Sequence, residues 1–174
     1  MSEQLPWATA AAEVDWDSAY AELLPRVYNY FRYRLGNDAV AEDLTSRTFE
    51  KAWTQRARYR RDLAGLSTWL FSIARNVAVD HLRAQRPHLP LEAAEHVAVA
   101  GTPQDYVAHA SDLRRLAALL QRLPAREQEL VALKYGAEAT NRAIAALTGL
   151  SESNVGTILH RTIQALRAAW LEGV

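Results

Sequence analysis

Along residues 17–35 apolar side chains return every three or four positions, so that Tyr20, Leu23, Leu24, Val27, Tyr28, Phe31 and Leu35 share one wide face. That is the period of an amphipathic helix, not of a strand. The run "LGND" stops it. The same period predicts a second helix over residues 39–53, followed by the basic loop "TQRARYRRDLAGL". Ser67 then offers a helix cap. In "TWLFSIARNVAVDHLRAQR", Trp69, Leu70, Ile73, Val77 and Leu82 fall at helical spacing until Pro87 and Pro90 end the element. Nowhere does the pattern alternate as strands do, so the expected fold is all-α.

Residues 87–111 break the pattern with three prolines and a glycine, and without lysine or arginine. They read as a linker, with room for a short helix at 91–96, between two small helical domains at residues 1–86 and 112–174. Beyond it, Ser111 or Asp112 caps "LRRLAALLQRL", Pro124 breaks the helix, and "AREQELVALKYG" forms another closed by Gly136. "TNRAIAAL", with Ile144 and Leu147 inward, leads through "TGLS" to a helix capped by Ser151 that turns Val155, Leu159, Thr162 and Leu166 inward. The spacing is that of a helix-turn-helix. On spacing alone it serves either DNA reading or a helical hairpin in a protein-binding module.

Composition excludes more than it assigns. Of 174 residues, 49% are apolar and 23% charged, which suits a globular chain. With no cysteine there is neither a disulfide framework nor a thiolate metal site. His81, His88, His96, His109 and His160 show no metal-ligand spacing, and no phosphate-cradling glycine loop or nucleophile constellation occurs. Neither metal, cofactor nor enzymatic activity is expected. No apolar run approaches the roughly 18 residues of a membrane span, and "MSEQLPWATAAAEVDWD" lacks the basic start and apolar centre of a signal peptide, so a cytoplasmic location is expected. Charge sums to zero but is segregated. Residues 1–25 hold five acids and no base, whereas residues 54–86 hold seven arginines against Asp62 and Asp80. That segment is either an anion-binding surface or a solvated arginine-rich face.

Three stretches together carry a family resemblance. "NDAVAEDLTSRTFEKAW", "STWLFSIARNVAVDHLR" and the pair "LPAREQELVALKY" and "IAALTGLSESNVGTILHR" resemble the extracytoplasmic-function sigma factors, two-domain promoter-recognition subunits of bacterial RNA polymerase. The second stretch is the most specific, because Thr68, Trp69, Leu70, Ile73, Ala74, Asn76, Asp80 and Leu82 match without a gap. The resemblance implies sigma domain 2 in residues 1–86 and sigma domain 4 in residues 112–174. Domain 2 would capture a base flipped from the minus-10 element. Asn76 would offer its amide to the base edge, Asp80 and Arg83 would lie on the same helix, and Arg58, Arg60 and Arg61 would hold phosphates. Tyr59 would either stack on a base or anchor the loop. Domain 4 would read the minus-35 element in the major groove through Ser153, Asn154, Gly156, Thr157, His160 and Arg161, with Gly156 letting the helix approach closely. Asp43, Leu44, Ser46, Arg47 and Phe49 would meet the beta-prime clamp of the polymerase core, whose beta flap is a further contact. Promoter DNA, and an anti-sigma factor as a further possible partner, complete the implied set; no membrane insertion is implied.

Departures from the family pattern are few. Gly156 and Ile158 stand where basic residues are usual on the recognition helix, and Arg47 stands where the clamp helix usually carries an acid. Thr45, Ser46 and Thr48 flank that arginine as phosphate-acceptor candidates. A regulator of the LuxR type would share the C-terminal pattern but would have no use for residues 67–83.

Overall fold

The structure, a computed structural model, describes residues 14–85 and 105–172. Those residues fold into helices joined by short turns, with no strand among them. Helix α1, Trp16–Leu35, begins where the Asp15 carboxylate accepts the Ser18 amide at 3.2 Å and ends at Gly36, whose φ of 67° suits the left-handed cap. Helix α2, Asp38–Gln55, starts in the same way with Asn37 accepting from Val40. A 3-10 turn, Arg56–Arg58, opens the basic loop that leads to α3, Leu66–Gln85. Helix α4 spans Asp105–Gln121, and α5, Ala125–Val131, runs on as a π turn, Ala132–Gly136. Helix α6, Asn141–Thr148, and α7, Glu152–Leu171, make the helix-turn-helix, with Gly149 at φ 73° in the turn and Ser151 capping α7 by accepting the Asn154 amide.

Several sequence expectations shift. Helix α3 starts one residue before Ser67, and its first bond runs from the Trp69 amide to the Gly65 carbonyl, so Ser67 lies inside the first turn and not at the cap. Ser111 and Asp112 also lie inside a helix, because α4 begins at Asp105 and takes in the end of the expected linker. The short helix expected at 91–96 lies outside the described residues. Gly136 does close its helix, but without a left-handed conformation. It is required for closeness: a Cβ there would lie 2.8 Å from the Asn29 carbonyl oxygen and 2.9 Å from the Tyr30 amide nitrogen of α1.

That contact shows how the two helical units meet. Leu23, Val27, Phe31, Leu44, Phe71 and Val77 from α1 to α3 belong to the same buried cluster as Leu130, Val131, Leu133, Ile144 and Val155 from α5 to α7. Helix α1 is therefore buried on two sides. Tyr30 and Arg34, off its expected apolar face, are both buried against the second unit. The Arg34 guanidinium donates to Gln128 at 2.6 Å, and the Arg26 guanidinium to the Ala137 carbonyl at 2.9 Å. From α3, Arg75 pairs with Glu129 at 2.9 Å and also donates to the Leu147 carbonyl at the end of α6. Burial holds the Tyr30 phenol well above its usual range, and the nearby Glu129 charge adds to the effect, so it remains neutral.

Candidate nucleic-acid interface

Two polar surfaces stand out on this frame. The first is the outer side of α7. Val155, Ile158, Leu159 and Thr162 face the core, which leaves Ser153, Asn154, Thr157, His160 and Arg161 exposed on the opposite side, where residues three, four, seven and eight apart align. Thr157 donates its hydroxyl to the Ser153 carbonyl at 3.1 Å, leaving its lone pairs free to accept. Gln164 and Arg167 continue the exposed face one and two turns further; the exposure pattern shows them as additional candidates. Gly156 is different. It is half-buried, and a Cβ there would point at the Asn141 side chain of α6, 3.5 Å from its amide nitrogen. The missing side chain would face the partner helix at an ordinary contact distance. Ile158 is a core residue, so it is not free to replace a basic contact.

The second surface lies along α3 and the loop before it. Ile73, Ala74, Val77 and Ala78 are buried, while Asn76, Asp80 and Arg83 are exposed. Asp80 stands 3.9 Å from Lys51. In the loop, Arg60 grips Asp62 with two hydrogen bonds, 3.0 and 2.8 Å, which hold the Asp62 carboxyl below its usual range. Arg58 and Arg61 are exposed and have no side-chain partner among the described residues. Of the four loop arginines these two are the open cations, since Arg56 donates to the Trp53 carbonyl. Tyr59 is half-buried with its ring 5.3 Å from that of Trp69, which favours the anchor over the stacking platform. Trp16 and Arg56, which no motif marks, join Trp53 of the clamp helix at this surface. Trp16 meets both Trp53 and Trp69 edge-on at 6.1 and 6.2 Å, and Arg56 lies 4.1 Å over the Trp53 ring. The interleaving of aromatic and basic residues in "KAWTQRARYRR" was the available signal.

The expected clamp-binding residues divide. Asp43, Ser46 and Arg47 are exposed on α2, and Phe49 is half-buried against Tyr20 at 4.7 Å. Leu44 is fully buried in the core and unavailable to any partner, a correction that follows from its position on the inward face of α2. Arg47 is paired with Asp43 at 3.0 Å, one turn earlier, so it is not a free positive charge. Thr45 and Thr48 are buried and donate their hydroxyls to the Ala41 and Leu44 carbonyls, which leaves Ser46 as the one exposed hydroxyl of the three.

With this geometry in place, comparison with known proteins identifies the class. Residues 19–88 match sigma-70 region 2 and residues 113–166 match sigma-70 region 4. Among curated relatives, the extracytoplasmic-function RNA polymerase sigma factor BldN of Streptomyces coelicolor is 29% identical over 95% of this chain, which spans 64% of the BldN length. The RNA polymerase sigma factor CarQ of Myxococcus xanthus is 30% identical over 90% of this chain and 89% of its own. A solved structure of the sigma factor RpoE of Bartonella quintana, in complex with the anti-sigma factor NepR, shares the fold with a TM-score of 0.70 at 22% identity, covering 88% of this chain and 95% of that one. The chain belongs to the extracytoplasmic-function sigma factors. A LuxR-type regulator would account for the region 4 match and leave the region 2 match unexplained. No helix among the described residues is long and apolar enough to cross a membrane.

Proposed function

We propose that this protein recruits RNA polymerase core to promoters from within the cytoplasm, reads the minus-35 element with α7 and opens the minus-10 element with α3. The observation that carries the reading is the exposed amide of Asn76 on a helical turn whose neighbours Ala74, Val77 and Ala78 are all buried. A polar group held rigidly on such a turn is suited to the edge of an unstacked base, which presents both donors and acceptors. Arg58 and Arg61 supply the phosphate contacts that a single strand needs. Zero net charge and the thin charge of α7 fit a factor that depends on the polymerase to present DNA, since each phosphate contact forgone weakens duplex binding by the free protein. The decisive experiment is promoter-directed transcription with reconstituted polymerase. The chain should confer initiation on core enzyme at a cognate promoter, and its failure to do so with any promoter selected from genomic fragments would overturn the proposal.

Base reading by α7 falls on Arg161, whose planar guanidinium can hold guanine through two hydrogen bonds. Arg161→Ala should relax preference at one or two minus-35 positions by about 1 to 3 kcal/mol while initiation on a pre-melted template is retained. Selection from a randomised minus-35 element measures this, and an unchanged preference would remove Arg161 from the reading.

Clamp docking is proposed through Asp43, Ser46, Arg47 and the rim of Phe49. Because Asp43 already neutralises Arg47, reversing that charge leaves two acids on one helical face. Arg47→Glu should therefore tighten binding to a basic clamp about threefold to tenfold, with the gain shrinking at high salt as expected of a solvated rim. Affinity for core polymerase at two salt concentrations is the test. Weaker binding by the variant would show that Arg47 has an acidic partner on the clamp.

A further inference from the structure

An apolar cavity of about 250 Å³ opens between α1, α2 and the start of α3, walled by Trp16, Tyr20, Phe49, Trp53, Leu66 and Leu70. It is larger than the roughly 150 Å³ needed to enclose benzene. Its rim leaves Trp53 55% and Tyr20 48% exposed, a large aromatic surface for a chain to leave uncovered. The described chain begins at Val14, two residues before the Trp16 ring that forms part of this wall. Residues 1–13, outside the described residues, are joined to the described chain at Val14, beside the cavity. Their sequence, "MSEQLPWATAAAE", carries a single aromatic residue, Trp7, and two acids, Glu3 and Glu13, with no base. The one charged residue lining the cavity, Asp17, is an acid, and the opposite charge lies beyond the aromatic rim. Trp16 touches Trp53, which carries Arg56 on its face, and touches Trp69, which carries Tyr59 between the open cations Arg58 and Arg61.

We propose that the N-terminal segment of this chain docks on that groove, with the Trp7 ring in the cavity and Glu3 and Glu13 facing the arginines of residues 56–61, so that it masks the loop from nucleic acid. Reach is sufficient. The six residues from Trp7 to Glu13 span up to about 20 Å when extended, longer than the width of a single helix. Asp17, on the cavity wall, supplies a carboxylate acceptor for the indole N–H. The attachment is intramolecular, so a short linker gives the segment a high effective concentration even though one ring and two surface ion pairs bind weakly. Nucleic acid brings many phosphates to the same loop and displaces it. The docking stands independently of the promoter reading, whereas the masking rests on it.

Full-length protein labelled with 5-fluorotryptophan tests the docking, because the five tryptophans, Trp7, Trp16, Trp53, Trp69 and Trp170, give separate fluorine signals that single Trp→Phe variants assign. The Trp7 signal is expected away from its position in a free peptide of residues 1–13, and Trp7→Ala should shift Trp16 and Trp53 while leaving Trp170, on the far unit, unmoved. A Trp7 signal at the free-peptide position, with Trp16 and Trp53 indifferent to the substitution, would overturn the proposal. Signals that change on dilution would overturn it too, by assigning the groove to a second copy. Masking is read with a fluorescein-labelled single-stranded oligonucleotide. If the segment occupies the loop most of the time, Trp7→Ala and the pair Glu3→Gln with Glu13→Gln should each bind it about fivefold tighter. Docked Trp7 with unchanged affinity would overturn the masking and keep the docking. No binding by either the full chain or the variants, with Trp7 docked, would instead count against the nucleic-acid role of the loop.

Discussion

Gly136→Ala should undock the two helical units, lower stability by about 1 kcal/mol and split unfolding into two transitions. Glycine sits in the π turn where the second unit presses on α1. The added methyl would meet the Asn29 carbonyl oxygen, its carbon and the Tyr30 nitrogen at 2.8, 2.9 and 2.9 Å. All three are backbone atoms of a helix interior, far inside the 3.5 to 4.0 Å of a comfortable contact, and a helix backbone cannot swing aside as a long side chain does. Overpacking of this kind costs about 1 to 3 kcal/mol, against which alanine recovers at most about 1 kcal/mol of helical preference. The net sign is unfavourable, and the strain is relieved most easily by separation. Loss of contact would also release Arg34 from Gln128 and Arg75 from Glu129, both of which hold only while the units are docked. Urea unfolding followed by fluorescence and by circular dichroism checks this. A single coincident transition at the wild-type midpoint would mean that α1 can yield at Asn29 and that the contact is not needed for docking.

The second large effect is expected at Asn76. Asn76→Ala should spare polymerase binding and closed-complex formation but reduce strand opening about tenfold to a hundredfold. A flipped base has given up stacking and pairing, a cost of a few kcal/mol, and each good pair of hydrogen bonds to its edge returns about 1 to 3 kcal/mol of that. Alanine removes both the donor and the acceptor of the amide. Asn76→Asp keeps the shape and an acceptor while losing the donor, and introduces a charge beside the strand, so it should open DNA no better than alanine. Because Asn76 is exposed, neither change should move stability by more than about 0.5 kcal/mol, which separates a defect in opening from a defect in folding. Permanganate reactivity of minus-10 thymines reports opening directly. Wild-type reactivity in the alanine variant would withdraw Asn76 from the proposed base contact.

The all-α fold, most helix termini and the helix-turn-helix were legible in the sequence because each depends on neighbours within a few turns. The inward faces of α1 and α7 follow from a 3.6-residue period, and the Ser151 cap from a side chain reaching an amide three residues away. The exposed face of α7 is equally local: once Val155, Leu159 and Thr162 point inward, Ser153, Thr157, His160 and Arg161 must point out. Leu44 shows the limit of the pattern. As an apolar residue on the clamp helix it reads equally well as a contact and as core, and only the packing of α2 on α1 and α3 places it inside. Position along the chain is also ambiguous at helix starts, where a serine at Ser67 or Ser111 has the chemistry of a cap whether or not the preceding residue is already helical.

What tertiary structure alone decided is which faces meet across the chain. Arg34 and Gln128 lie 94 residues apart, and Arg75 lies 54 residues from Glu129. In sequence each is an ordinary polar residue on a helix, and burial becomes tolerable only because the partner arrives from the other unit to meet part of its hydrogen-bonding capacity. The same holds for Gly136, whose lack of a side chain reads as a helix stop but is required by the backbone of α1 passing less than 3 Å from where a Cβ would stand. Local periodicity specifies that a face is apolar; shape complementarity between two separately formed helical units specifies what covers it, and that depends on all three dimensions of both surfaces at once.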